Sequence, residues 1–266
     1  MKTFHPPNPL VIKIGGALLE EPKRLTSFWQ SVKRLHETAP VVIVHGGGPQ
    51  ATAMARRLDH EPRFVHGRRV TTDLDLHIAQ WTLRGRINSQ LVAQAITHGL
   101  TAVGISGADG GLLRVTRRPP WNIDGETVDF GWVGDVDQVK TGLLSTLIQH
   151  DFMPIVAPLG TDAAGQLYNV NADTVACVLA EALDAPQLLL VTESGGVKEC
   201  LGTPGSHLPR CDWDTFTDGM AAGWIGGGMR VKLQAAFEAL QAGISNVFIL
   251  APDDLLHRTH ATQVVL

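Results

Sequence analysis

The sequence predicts an α/β protein, a three-layer α/β/α sandwich whose central sheet is mainly parallel and covered by helices on both faces. Three observations predict it. Short apolar runs of strand length alternate with amphipathic stretches of helix length along nearly the whole chain. The runs are apolar at consecutive positions, as strands buried on both faces are. Glycines cluster directly after several runs, at the carboxyl ends of strands, where such sheets bind ligands.

The first run, residues 10–14, ends in Gly15 and Gly16 and carries one cation, Lys13. Lys13 leaves the strand on the same side as Gly15. It is either an edge-strand lysine in solvent or a lysine aimed at a bound anion, and the adjacent glycines favour the anion. Residues 25–36 follow as an amphipathic helix. The second run, 41–44, leads through His45 into Gly46, Gly47 and Gly48, then Pro49 and a helix over 51–58. Proline suits a first helical turn, and a strand, glycine loop and helix in this order present backbone N–H groups to an anion.

Gly67, Arg68, Arg69, Val70 and Thr71 put two arginines in a loop before a helical stretch over 74–98 that starts at Thr72 or Asp73. They are either solvated or a bidentate clamp for a carboxylate. After a third run at 101–105, residues 112–133, with an Arg-Arg-Pro-Pro turn and an Asp124-Gly125 pair, read as β-hairpin insertions that form a flap. A helix over 139–150 and a run at 154–157 come next. Asn169, Asn171 and Asp173 then open a helix over 172–183. Asn171 suits the N-cap and Asp173 the first turn, which leaves Asn169 unexplained; alternatively Asp173 positions the two lysines while Asn169 hydrogen-bonds a substrate.

The run 187–191 passes into Thr192, Glu193, Ser194, Gly195, Gly196 and Val197, the start of a glycine- and proline-rich loop over 195–209. Ile225, Gly226, Gly227 and Gly228 precede a helix over 229–242 that carries Lys232 in its early turns, a third candidate anion site or an ordinary solvated lysine. A last run spans 246–250. A boundary near 184–186 divides the chain into 1–185 and 186–266. No low-complexity tract or internal repeat stands out.

The chain has 266 residues, 44% hydrophobic and 18% charged, with a formal net charge of −4. It lacks the broad basic footprint of a nucleic-acid binder, and a small-molecule role fits better. Cys177, Cys200 and Cys211 are odd in number and have no C-x-x-C spacing, which argues against a disulfide framework and a structural zinc site. No signal peptide is evident in residues 1–8, and no apolar run approaches the about 18 residues of a membrane helix. The expectation is a soluble cytoplasmic protein.

His45 with its three glycines is similar to the oxyanion-hole segment of some α/β-hydrolases, but neither Ser106 nor Ser194 sits in a complete G-x-S-x-G. Gly46 to Ala51 fits G-x-G-x-x-A, yet it follows the second strand, and arginines stand where a ribose-binding acid is expected. No G-x-x-x-x-G-K-[ST] occurs. A non-catalytic small-molecule sensor remains the reading of a different class, against which two lysines and an acid argue.

The ordered set Lys13-Ile-Gly-Gly16, Val44-His-Gly-Gly-Gly48, Gly67-Arg-Arg-Val-Thr71, Val103-Gly-Ile-Ser-Gly-Ala-Asp-Gly110, Asn169-Val-Asn-Ala-Asp173 and Gly227-Gly-Met-Arg-Val-Lys232 resembles the amino acid kinase family, on the side of its members that phosphorylate N-acetylglutamate. Gly85-Arg-Ile-Asn88 and Gly131-Trp-Val-Gly-Asp-Val136 are similar to substrate-side segments of that family. The resemblance implies the amino acid kinase fold and transfer of a phosphoryl group from ATP, with Mg²⁺ held by the nucleotide phosphates, to the side-chain carboxylate of N-acetyl-L-glutamate in arginine biosynthesis. Family relatives that use N-succinylglutamate or carrier-bound aminoadipate are the alternative.

By the same resemblance Lys13 and Lys232 neutralise the transferring phosphoryl group and Asp173 holds both. Gly15, Gly16 and Gly46 to Gly48 donate N–H groups, Gly47 and Gly48 also touch the substrate, and Arg69 and Asn169 bind its α-carboxylate region. Thr192 to Val197 and Ile225 to Gly227 contact the nucleotide. Thr192-Glu-Ser-Gly stands where the family commonly has Asp-Val-x-Gly, and Ser89 where it often has lysine. About ten residues precede the first strand, too few for the N-terminal helix of arginine-inhibited hexameric members, so the expectation is an arginine-insensitive homodimer.

Overall fold

The computed structural model describes residues 8–123, 125–199 and 206–266. The N-terminal residues 1–7, Asp124 of the expected turn, Cys200 and the stretch 200–205 of the expected loop lie outside the described residues.

In chain order the elements are β1 (Leu10–Ile14), α1 (Pro22–His36), β2 (Val41–His45), α2 (Gly48–Arg57), the hairpin of β3 (Phe64–Val65) and β4 (Arg68–Arg69), α3 (Asp73–Ala79), α4 (Asn88–Thr97) and β5 (Ala102–Ser106). Then come β6 (Leu113–Arg117), β7 (Trp121–Ile123), β8 (Glu126–Val128), β9 (Gly134–Val139), α5 (Gly142–Gln149), β10 (Met153–Ala157), β11 (Leu159–Thr161), β12 (Leu167–Asn169) and α6 (Ala172–Ala182). The remainder is β13 (Gln187–Val191), β14 (Arg210–Cys211), α7 (Trp213–Ala221), α8 (Gly227–Gln241), β15 (Asn246–Leu250) and β16 (Thr262–Val264).

The main sheet has eight strands in the order β14-β16-β15-β13-β1-β2-β10-β5, parallel except where β15 meets β16. All six apolar runs are strands of it. β1 lies in the interior with β13 on one side and β2 on the other, so the strand order reverses there. Loops after β1, β2 and β13 therefore open at the same end of the sheet, where a crevice forms. Strands from before and after residues 184–186 belong to this one sheet, where β1 pairs with β13.

Alternation along β1 decides what Lys13 can meet. Leu10, Ile12 and Ile14 pack into the core beneath α1 and α4, with Phe28, Trp29, Val32 and Leu91. Val11 faces the other core, with Val175, Ala176 and Leu179 of α6 and Leu233, Ala236 and Phe237 of α8. Lys13 shares the Val11 face. It therefore rises towards the first turns of α6 and α8.

The stretch expected as one helix over 74–98 is interrupted: Gln80–Ile87 winds as a wider π-helical segment between α3 and α4. Such segments recur at functional sites. This one buries Leu83 and Ile87 together with Asn88. The start follows a capping box, with Thr72 Oγ1 accepting from Asp75 N and the Asp75 carboxylate accepting from Thr72 N. Residues 112–133 form hairpins as expected: β6 and β9 pair antiparallel, and β7 with β8 makes a separate two-stranded ribbon. Helix α5 starts later than its apolar pattern because β9 continues through Val139, paired with Leu113. Helix α7 was outside the expected pattern; Asp212 Oδ1 caps it from Thr215 N at 2.8 Å. No described helix is long and apolar enough to cross a membrane.

Candidate active site

A cavity of about 320 Å³ at the carboxyl end of β1 and β2 is lined by Lys13, Gly16, Gly46, Gly47, Gly48, Arg69, Asn169 and Asp173. The fold thus gathers every residue expected for catalysis or substrate binding except Lys232 directly on one wall. Lys232 reaches the same point through Asp173: its Nζ lies 2.9 Å from Asp173 Oδ1, and Lys13 Nζ lies 2.9 Å from the same oxygen. Lys13 is 6% exposed in an interior strand, which settles that it is no edge-strand lysine in solvent. Asn171 caps α6 by accepting from Asp173 N and Thr174 N, so the cap fixes the backbone that carries the bridging carboxylate.

Burial alone would raise the Asp173 carboxyl, but Lys13 and then Lys232 hold it well below the usual carboxylate range. Lys13 moves down, to about 8; burial is the main cause, Asp173 opposes it and Lys232 adds to it. The centre has two ammonium groups and one carboxylate. It is cationic by one charge in a desolvated place, which suits an anion.

Two glycine loops pack face to face beside this centre. Gly46 N donates to Ile14 O at 2.8 Å, and Gln50 Nε2 donates to Gly16 O at 2.8 Å and to Glu20 Oε1 at 2.8 Å. A Cβ on Gly16 would stand 3.0 Å from Gly47 Cα and 2.5 Å from Gln50 Oε1, and one on Gly47 would meet Ile87 Cδ1 at 2.4 Å. The glycines are required by close approach of loop to loop and of loop to the π-helical segment. Gly16→Ala is expected to cost about 1–3 kcal/mol through overpacking and, by shifting the loops, to lower turnover about 10²-fold. Thermal melts and steady-state rates check it, and wild-type turnover would contradict it.

Behind the second loop sits a buried polar relay. His45 Nδ1–H donates to Gly46 O at 2.9 Å, and Asn88 Nδ2 donates to His45 Nε2 at 3.2 Å and to Ile155 O at 2.8 Å. Burial pushes His45 down to about 4, so it is neutral here; the Gly46 contact opposes this and Arg84 adds to it. Asn88 Oδ1 accepts from Arg84 Nη1 at 3.2 Å. Asn88 thereby ties the glycine loop to β10. With His45 so engaged, and Ser106 Oγ donating to Asp109 Oδ2 at 2.8 Å, these two side chains do not pair with each other.

Arg69 is held from behind. Its Nη2 donates to Thr52 Oγ1 at 2.6 Å and to Gly48 O at 3.3 Å, and Nη1 meets Asp75 Oδ1 at 3.4 Å. Opposite, Asn169 Nδ2 donates to Thr71 Oγ1 at 3.2 Å and Asn169 N to Trp132 O at 2.9 Å. Asp75 also accepts from Thr72 and meets His60 Nε2 at 3.0 Å. Sequence reasoning missed Gln50, Thr52 and Asp75; the T-x-x-D spacing of Thr72 and Asp75 is a signal that marks the last of these.

The residues expected for the nucleotide stand apart from this cavity. Thr192 N donates to Leu250 O at 2.8 Å and Thr192 Oγ1 to Gly195 O at 2.6 Å, closing a turn with Gly195 at φ +78°. Glu193 O accepts from Arg24, and Ser194 Oγ lies 3.3 Å from Thr192 Oγ1. Gly196 packs against Thr262, while the Val197 and Ile225 side chains are in the core and can offer a ligand only backbone. Gly15 ends β1 beside β13, and Gly226 and Gly227 start α8 with nothing within 4 Å of where a Cβ would stand.

Residues 8–251 match the model of the amino acid kinase family. An acetylglutamate kinase of Anaeromyxobacter sp. (strain K) is 42% identical over 253 residues, covering 92% of this chain and 93% of that one. The acetylglutamate kinase of Methanopyrus kandleri is 39% identical over 250 residues, covering 92% and 96%. In fold, the crystal structure of an N-acetylglutamate synthase from Neisseria gonorrhoeae, complexed with coenzyme A and N-acetyl-glutamate, superposes with a TM-score of 0.80 at 23% identity, over 97% of this chain and 59% of that one.

Proposed function

The chain belongs to the amino acid kinase family and has its fold, and on that premise we propose that it phosphorylates the side-chain carboxylate of N-acetyl-L-glutamate with ATP, giving the acyl phosphate used in arginine biosynthesis. The observation that carries the reading is the Asp173 carboxylate bridging Lys13 and Lys232 beside two glycine loops. A carboxylate nucleophile has no proton to lose. The work left for the protein is alignment and neutralisation of charge, which two ammonium groups and loop N–H donors can supply.

In this reading Gly16 and Gly46 to Gly48 cradle the transferring group and the attacking carboxylate, and Arg69 with Asn169 grips the α-carboxylate. Lys13 and Lys232 neutralise the phosphoryl and leaving oxygens. Residues 1–185 would hold the acyl substrate and 186–266 the nucleotide, through Thr192 to Val197 and Ile225 to Gly227, with Gly15 of the first segment also touching the nucleotide. Mg²⁺ would be held by the nucleotide phosphates, where it supplies further positive charge. The cavity's carboxylates suit that arrangement, since Asp173 is engaged by two lysines and Asp75 by Arg69, Thr72 and His60.

Hydroxylamine trapping tests the reading. MgATP and N-acetylglutamate should yield a hydroxamate, and its absence would sink the proposal in favour of a sensor. A pH profile gives a second check. Lys13 must carry its proton, and its value near 8 puts an alkaline limb in kcat/KM there, with activity lost as pH rises. The limb in kcat should lie higher, because bound phosphates favour the ammonium. Lys13→Arg should retain residual activity without the limb; a limb that persists assigns it elsewhere.

We also propose a cytoplasmic homodimer. Trp81 and Ile96, exposed on the helical stretch 80–97, suit a covered face. Light scattering should give twice the chain mass, and a hexamer would contradict it.

A further inference from the structure

Asp75, in the first turn of α3, lines the active-site cavity and is 2% exposed. A carboxylate in the wall of a cavity that takes anions repels its ligand, and burying one is costly unless it is paired and hydrogen-bonded. Phosphoryl transfer as described above makes no use of it. The two Asp75 oxygens are engaged differently. Oδ2 accepts from Thr72 Oγ1 at 2.7 Å, from His60 Nε2 at 3.0 Å and from Thr72 N at 3.1 Å. An ionised carboxylate only accepts, so His60 Nε2 carries the hydrogen. Oδ1 meets Arg69 Nη1 at 3.4 Å and bonds no other donor among the described residues. Burial alone would raise the Asp75 carboxyl, but the bonds from Thr72 and then His60 hold it below its ordinary value.

Arg69 is fixed on its other sides as well. Nη2 donates to Thr52 Oγ1 at 2.6 Å and to Gly48 O at 3.3 Å, and Cζ lies 4.8 Å from the ring centre of Phe64. An arginine side chain carries about 2 kcal/mol of rotamer entropy, which a free clamp would lose on binding; one held beforehand takes a carboxylate at lower cost. The length of the Asp75 contact matters as much as its presence. At 3.4 Å through one nitrogen it stands at the far end of hydrogen bonding. It orients the guanidinium and stops short of the bidentate pair that would occupy the fork a substrate carboxylate needs. Thr72 and His60 hold Oδ2, which keeps Asp75 from swinging onto Arg69 and closing that pair.

Resting on the functional reading above, in which Arg69 takes the α-carboxylate, we infer that Asp75 and His60 are positioning residues for that clamp: His60 pins Asp75, and Asp75 turns the Arg69 guanidinium towards the substrate without neutralising it. The pair acts on affinity for the acyl amino acid. It leaves the nucleotide and the phosphoryl-transfer step to the lysine centre, where Asp173 does the corresponding work for Lys13 and Lys232.

Calorimetry with N-acetylglutamate and hydroxamate kinetics, both on the full chain, test this with Asp75→Asn, His60→Ala and His60→Gln. Asp75→Asn keeps an acceptor for Thr72 N, and so the helix cap, but removes the charge facing Arg69. His60 does not line the cavity and its side chain is 24% exposed, so its variants keep the test open if Asp75→Asn misfolds. One charged hydrogen-bonded contact is worth about tenfold in affinity. Asp75→Asn and His60→Ala are expected to raise Kd and KM for N-acetylglutamate about tenfold, with kcat and KM for ATP within about threefold. His60→Gln, which offers Asp75 a neutral donor in place of the ring nitrogen, should restore most of the affinity. Variants that melt earlier yet bind as the wild type does would reduce Asp75 to a helix cap and overturn the proposal. Tighter binding by Asp75→Asn would overturn it too, since the carboxylate would then act by repulsion. Wild-type binding without hydroxamate would sink the kinase reading alone, with the Kd values still deciding on Asp75; no binding by the wild type would sink both.

Discussion

Lys13→Ala is expected to lower kcat about 10³-fold while KM for N-acetylglutamate stays within about threefold. Lys13 stands at the end of an interior strand, buried, with its ammonium 2.9 Å from Asp173 and its loop beside the cavity. In that position it meets charge that builds on the phosphoryl group during transfer and makes little contact with the acyl amino acid, whose α-carboxylate is assigned to Arg69. Removing an interaction strongest in the transition state lowers kcat and kcat/KM together. The alanine variant should also fold. It removes a cation whose desolvation already outweighs its attraction to Asp173, as the downward shift of Lys13 records. Steady-state kinetics with a melting curve decides the matter: a raised KM at unchanged kcat would show Lys13 to be a binding residue only.

Much of this was legible in the sequence for a local reason. Runs such as 41–44 and 188–191 are uniformly apolar because their strands are covered on both faces, and of the loop glycines Gly47 leaves no room for a Cβ because Leu83 and Ile87 approach it. Asn171 could be assigned as a cap because capping is decided within three residues. What escaped depends on long-range placement. The π-helical segment 80–87 looks like ordinary helix until Leu83 and Ile87 are seen to fill the space a Cβ of Gly47 would need. Asn88 appears unexceptional until strands from three parts of the chain bring His45, Ile105 and Ile155 to it. The convergence of Lys13 and Lys232 was expected from a family resemblance; the alternation of β1 explains it, since only its Val11 face looks at both α6 and α8.

Asp173→Asn should be the most disruptive single isosteric change in the site, and its signature lies in pH. The substitution leaves two ammonium groups near one neutral amide. Losing one partner of a buried ion pair costs about 3–5 kcal/mol, unless the stranded charge can neutralise itself. Lys13 can: burial and Lys232 already depress it to about 8, and without Asp173 both act unopposed. The variant is therefore expected to shed the Lys13 proton near neutrality, limiting the loss of stability and removing the charge that catalysis needs. Turnover at pH 7.5 should fall about 10²–10³-fold and recover in part as pH is lowered, opposite to a simple loss of a general base. Stability follows its own sign. Asp173 has a folded value below its unfolded one, so its contribution is present above about pH 4 and fades as pH falls through the folded value. The gap in unfolding free energy between wild type and variant should accordingly narrow in acid. A variant whose activity profile keeps the wild-type shape at a lower height would mean that Asp173 only orients the lysines and does not set their charge.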